Sequence, residues 1–225
     1  MSDAAAAKLL RVAGRAVARA GLVHAYGHCS LRLDAGRFLV SPAKPLGLVT
    51  ADDACQVVPL DAPLPQGVLG EVRVHREIYR LRPDVHGIVR SMPPHVMTLA
   101  AHGIAPRPRH GFGSYFHPGP PLWDDPQLLR SDDSAAALAR QLGSAPAIVM
   151  RGNGAVVAGS TLQQAVVLSW YLEDMARVDL AGRAAGLAEA PPLSAAQASQ
   201  RATWSGAILE RMWDYLTAGD PESLP

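Results

Sequence analysis

Apolar residues recur along this chain at two spacings, one helical and one extended. Residues 4–20 carry Leu9, Leu10, Ala13, Val17 and Ala20 at helical intervals, and Gly21 is placed to end that helix. Glu71 to Arg82 repeats the pattern with Val74, Ile78 and Leu81 on one face, and Pro83 stops it. Residues 133–142 are helical, and so are roughly 162–185, capped by Thr161, with Ala165, Leu168, Leu172, Met175 and Val178 forming an apolar face. A short helix is predicted from His95 to His102. A last one, capped by Ser194, holds Trp204, Ile208, Met212, Trp213 and Tyr215. Strands are predicted at 31–33 and 37–40, on either side of the Asp34-Ala35-Gly36 break, and at 55–60, 86–91, 147–150 and 155–158. No internal repeat or low-complexity linker divides the chain, so one domain is expected over 1–225, with a C-terminal helical extension at about 194–218. Residues 103–126 fit neither spacing. Rich in Gly, Pro, His and aromatics, they read as a long loop, either functional or packed by its own aromatics.

Composition narrows the class. Apolar residues make up 48% and charged residues 18%, a globular balance. A net charge of +1 without a long basic run argues against nucleic acid as a partner. Cys29 and Cys55 form no disulfide framework and read as reduced thiols. The first residues lack a basic segment followed by an apolar one, and no apolar run approaches the ~20 residues of a membrane span. The expectation is a soluble, cytoplasmic protein.

Three turns flank strands: Gly27-His28-Cys29-Ser30, Ser41-Pro42-Ala43-Lys44 and Arg151-Gly152-Asn153-Gly154. Glycine lets backbone N–H groups approach an anion, and His28, Ser30, Arg32, Ser41, Lys44 and Asn153 add side chains suited to a carboxylate or phosphate. None of the turns matches the phosphate-binding loop or the dinucleotide fingerprint, and ordinary turns explain each one singly. Glu71 opens a helix with His75 four residues on, on the same face. It reads as a charge–dipole contact, a general acid/base or half of a metal site. His110, Tyr115 and His117 bring proton donors to the aromatic stretch.

The order of these pieces is more specific than any one of them. Gly27-His28-Cys29-Ser30-Leu31-Arg32 precedes Phe38-Leu39-Val40-Ser41-Pro42, then Val49-Thr50-Ala51-Asp52-Asp53. Gly70-Glu71 with His75 and Ile78-Tyr79 follows, then Arg82-Pro83-Asp84-Val85, then Met150-Arg151-Gly152-Asn153-Gly154 and Gly159. Over roughly residues 5–185 this succession resembles the class II aldolase/adducin family, and within it the branch of hydroxyaromatic and pyridine dicarboxylic acid decarboxylases. The resemblance implies a three-layer α/β/α fold around a mainly antiparallel sheet. It also implies a homotetramer with active sites between subunits, and a small carboxylated substrate. His28 stands where sugar-phosphate members usually have asparagine, which turns the reading away from sugar phosphates.

The resemblance also exposes a departure. The family holds its divalent metal with a His-x-His pair and a third histidine, and the matching positions here are Arg90, Met92 and Asn153. Arginine is a fixed cation with no acceptor, methionine suits soft copper(I), and an asparagine oxygen ligates weakly. The expectation is therefore a lyase, decarboxylating or retro-aldol, without a bound metal. Arg90 would act in place of the metal, and Glu71, or Tyr115 or His117 of the aromatic stretch, would move the proton. The alternatives are a shifted zinc, manganese or iron site built from Glu71, His75 or His95 with His117; a non-catalytic member that binds a ligand or partner; and an isomerase or cyclase using the same pocket.

Overall fold

The computed structural model describes residues 1–223. Seven strands form one sheet: β1 (His28–Arg32), β2 (Arg37–Val40), β3 (Gln56–Pro59), β4 (Gly87–Ser91), β5 (Leu122–Trp123), β6 (Ala147–Met150) and β7 (Gly154–Gly159). Their order across the sheet is β3-β2-β1-β4-β7-β6-β5. Every neighbouring pair is antiparallel except β5 with β6, so the sheet is mixed but mainly antiparallel.

Strict alternation along the central strands explains the layers. Val89, Val149, Ala155 and Val157 point to one face, into a core shared with α1 (Asp3–Arg19), α3 (Pro94–Ala101) and α5 (Leu162–Ala184). Ile88, Ile148, Met150, Val156 and Ala158 point to the other, against α2 (Val72–Leu81) and α4 (Asp132–Leu142). The architecture is thus α/β/α, with two cores separated by the sheet. A fully buried side chain such as Ile88 or Leu172 contributes about 1.5–3 kcal/mol through area removed from water. Side-chain caps fix the helix starts: Ser2, Ser131 and Thr161 accept from backbone N–H groups of α1, α4 and α5.

Two expectations change. The C-terminal segment is not one helix but two, α6 (Ala195–Arg201) and α7 (Ile208–Thr217). The break falls where Gly206 (φ 75°) and Ala207 (φ 55°) enter the left-handed region, which no continuing helix visits. The 103–126 stretch is not free loop. It contains a 3-10 helix, Gly111–Phe116, whose Phe112 stacks on Tyr171 of α5 at 4.4 Å, and strand β5. Neither period could reveal a six-residue 3-10 turn or a two-residue strand. Among the described residues no helix is long and apolar enough to cross a membrane.

Candidate active site: a buried arginine at the floor of a cleft

Strand register assembles the site. His28 of β1 pairs directly with Arg90 of β4, and both project to the α2 face of the sheet. Glu71 sits immediately before α2, at a helix N-terminus that favours a carboxylate. Asn153 lies in the turn between β6 and β7. Two glycines let these segments close up. A Cβ on Gly154 (φ 80°) would meet the Ser91 carbonyl oxygen at 2.0 Å, and one on Gly27 (φ 153°) would meet Val23 at 2.5 Å.

Arg90 is 4% exposed. Its Nη2 donates to Asn153 Oδ1 at 2.5 Å and lies 3.1 Å from Glu71 Oε2. Its Nε is buried with no partner among the described residues. Burial lowers the pKa of the guanidinium and the Glu71 charge opposes that shift, so the group stays a cation at neutral pH. Together these residues floor a cleft of about 560 Å³, a size suited to a small ligand. His28, Lys44, Glu71, Arg90, Arg130 and Asn153 supply its polar surface, and Pro45, Leu69 and Leu128 part of its apolar wall. Arg130, which carries no ion pair among the described residues, was not marked by any motif; only its place just ahead of α4 brings it to the rim.

The other candidates are spent on structure or lie elsewhere. Arg32 donates to the carbonyls of Tyr79, Arg82 and Val85 at 2.7–2.9 Å and covers the Tyr79 ring, so it ties β1 to the end of α2. Ser41 pairs with Cys29 through N–H to carbonyl and, in return, through its Oγ, closing the β1–β2 ladder. Ser30 is fully buried behind the cleft, bonded to His75 and Tyr79. Lys44 reaches the cleft but is held at 2.8 Å by Asp53, whose carboxyl it lowers to about 2 with help from the Thr50 backbone. Tyr115 donates to the Thr203 carbonyl, packs on Trp204 and lines a separate depression. His117 is exposed at the end of the 3-10 helix. Neither Tyr115 nor His117 meets the cleft of its own chain.

The Class II Aldolase and Adducin N-terminal domain matches residues 8–180. The chain belongs to the class II aldolase/adducin family. A 3,4-dihydroxyphthalate decarboxylase from Terrabacter sp. (strain DBF63) is 31% identical over 205 residues, spanning 83% of this chain and 85% of its own. A second protein of that name, from Arthrobacter keyseri, is 29% identical over 83% of this chain and 82% of its own. The crystal structure of L-fuculose-1-phosphate aldolase from Thermus thermophilus is 27% identical and superposes with a TM-score of 0.71 over 82% of this chain and 96% of that one. Family and relatives support a lyase-type activity.

The family's divalent metal does not fit the residues present here. The position that would face it is a guanidinium, and the two oxygen donors beside it, Asn153 Oδ1 and the Glu71 carboxylate, are both engaged with that guanidinium. Among the described residues no three His, Cys, Asp or Glu side chains gather closely enough to hold an ion. The shifted set is dispersed within the chain: His75 bonds Ser30, His95 bonds Glu173 at 2.6 Å, and His117 is exposed.

Proposed function

We propose that this class II aldolase relative is a carbon–carbon lyase that decarboxylates a small hydroxylated aromatic acid, with Arg90 as the fixed positive charge of the site. The observation that carries the reading is the Arg90 guanidinium itself, 4% exposed at the floor of an otherwise open cleft and held between Glu71 and Asn153. A buried cation that faces a cleft is ready to meet an anion. Arg130 adds a positive charge, unpaired among the described residues, at the same opening, and Lys44 adds a second cation there that shares its charge with Asp53. That balance suits an acid with two carboxylates, such as the 3,4-dihydroxyphthalate named for the relatives.

The chemistry follows from the charges. A substrate carboxylate arriving at Arg90 sets two carboxylates against one guanidinium, and a proton taken up by Glu71 relieves the repulsion. Glu71 then delivers that proton to the ring carbon bearing the departing carboxylate. The new C–H bond forms, the C–C bond breaks, its electron pair restores the ring, and carbon dioxide leaves. Glu71 ends as a carboxylate and regains its proton from solvent. The departing group loses its charge as it leaves, so the apolar wall of Pro45, Leu69 and Leu128 suits it, while Arg90 suits the carboxylate that stays. Tyr115 and His117 would take part only from a neighbouring subunit, in the homo-oligomer that the family reading carries with it.

Incubation with 3,4-dihydroxyphthalate, followed for carbon dioxide and 3,4-dihydroxybenzoate, tests this. Turnover by the wild type and a loss of roughly 10²–10⁴-fold in Glu71→Gln, with binding of the acid retained, are expected. A wild-type protein that neither turns over nor binds this or any other hydroxylated aromatic acid would contradict it.

A further inference from the structure

Beneath Arg90 the structure holds a second polar group that the proposed decarboxylation has not yet used. His28 is 2% exposed and borders the cleft, yet neither of its ring nitrogens has a partner among the described residues. Its ring packs against that of His75, centroids 4.6 Å apart. His75 is fully buried, with Nδ1 bonded to Ser30 Oγ at 2.6 Å and Nε2 unpartnered. Ser30 Oγ in turn lies 2.9 Å from the Tyr79 hydroxyl. Buried polar groups without partners are rare, and three ring nitrogens in one place call for an explanation.

The chain of bonds behind His28 fixes its neighbour's tautomer. Burial raises the Tyr79 phenol, so it keeps its proton, and Ser30 Oγ is its one hydrogen-bond partner among the described residues. Tyr79 therefore donates to Ser30. Ser30 donates to His75 Nδ1, which places the His75 proton on Nε2. Burial, with Arg90 close by, also keeps both imidazoles uncharged. A neutral His28 has one donor and one acceptor nitrogen. A carboxylate, which only accepts, could meet the N–H alone, and it has Arg90 to go to. A hydroxyl can meet whichever nitrogen faces the cleft, donating to the bare one or accepting from the N–H. The nitrogens sit just under the cleft surface, and the broad χ2 torsion of an imidazole lets a turn of the ring bring one of them to a ligand.

We infer that His28 is the residue that recognises a ring hydroxyl of the substrate, with His75, Ser30 and Tyr79 as the positioning chain behind it. The inference rests on the decarboxylase reading for the kind of ligand, and adds which atom of the ligand is read and by what. Because His28 pairs with Arg90 across β1 and β4, hydroxyl and carboxylate would be gripped from adjacent strands. A site built to bond a hydroxyl discriminates strongly against the analogue that lacks it, because its own polar atoms are then left unpaired.

Titration calorimetry with two probes, 3,4-dihydroxyphthalate and phthalate, separates the possibilities. The wild type is expected to prefer the hydroxylated acid by roughly 10- to 100-fold. His28→Phe should abolish that preference by lowering affinity for the hydroxylated acid toward that for phthalate, with thermal unfolding reporting that the variant is folded. His28→Asn, which keeps a donor and an acceptor, should retain part of the preference, and His75→Phe should lose part of it. A preference undiminished in both His28 variants, or equal binding of the two probes by the wild type, would overturn the role of His28 and leave the carboxylate site standing. Binding of neither probe by the wild type would overturn the decarboxylase reading, and this inference with it.

Discussion

Two arginines, Arg15 and Arg90, are buried to nearly the same degree and do opposite things. Arg15, 8% exposed, spends every nitrogen: Nε and Nη2 on the two oxygens of Asp220 at 2.8 Å each, Nη2 again on Glu222 at 2.9 Å, and Nη1 on the Val49 carbonyl at 3.1 Å. It pins Asp220 and Glu222 to α1 and lies outside the cleft that Arg90 floors. Arg90, 4% exposed, makes its hydrogen bond and its ion pair through Nη2 alone, keeps Nε unpartnered, and borders open space. Burial does not separate a structural charge from a functional one. The number of donors left over does, because a saturated guanidinium has nothing to offer a ligand.

The largest effect that would sharpen this contrast is on turnover. Arg90→Ala should lower decarboxylation by at least about 10³-fold, since it removes the site's fixed cation. Arg15→Ala should leave activity per folded molecule near the wild-type level and instead cost about 3 kcal/mol in denaturant unfolding, by leaving the buried Asp220 carboxylate with Arg19, 3.5 Å away, as its remaining cation. Arg15→Met combined with Asp220→Leu should recover most of that loss. If Arg15→Ala abolished catalysis in folded protein, or Arg90→Ala left it intact, the comparison would fail. A smaller effect is expected on pH. His75 is held down to about 3 by burial and by Arg90, against 6.5 for the free side chain. Above pH 6.5 it is neutral in both folded and unfolded chains and costs nothing. As pH falls below that, the unfolded chain gains a proton that the folded one refuses, and stability is lost, by about 2 kcal/mol at pH 5 from this residue. His28, also depressed, acts in the same direction. Unfolding free energies measured from pH 7 to 5 should show the loss, and His75→Phe should remove this residue's share of it.

The fold was largely legible because its signals are local. The short apolar runs of β4, β6 and β7, buried on both faces, and the spacing in α1 and α5 can be read within a dozen residues, and caps such as Thr161 mark the ends. The C-terminal break was not, because Trp204 and Ile208 keep apolar spacing across a turn at Gly206 and Ala207. The site divided along the same line. The ordered turns named Glu71, Arg90 and Asn153, which the structure brings together. They also named Arg32 and Ser41, whose donors serve backbone carbonyls and strand pairing, because a residue type suited to an anion is equally suited to a carbonyl. The packing of His28 on His75 depends on a strand and a helix meeting 47 positions apart, beyond any local pattern. The one hint was the alternation that puts His28 and Ser30 on one face of β1.

Elemental analysis of the protein, purified without chelator, tests most directly whether Arg90 has taken the place of the family's metal. The account predicts zinc, manganese and iron each well below one per chain, unchanged in Glu71→Gln. One equivalent of any of the three, lost on that substitution, would contradict it.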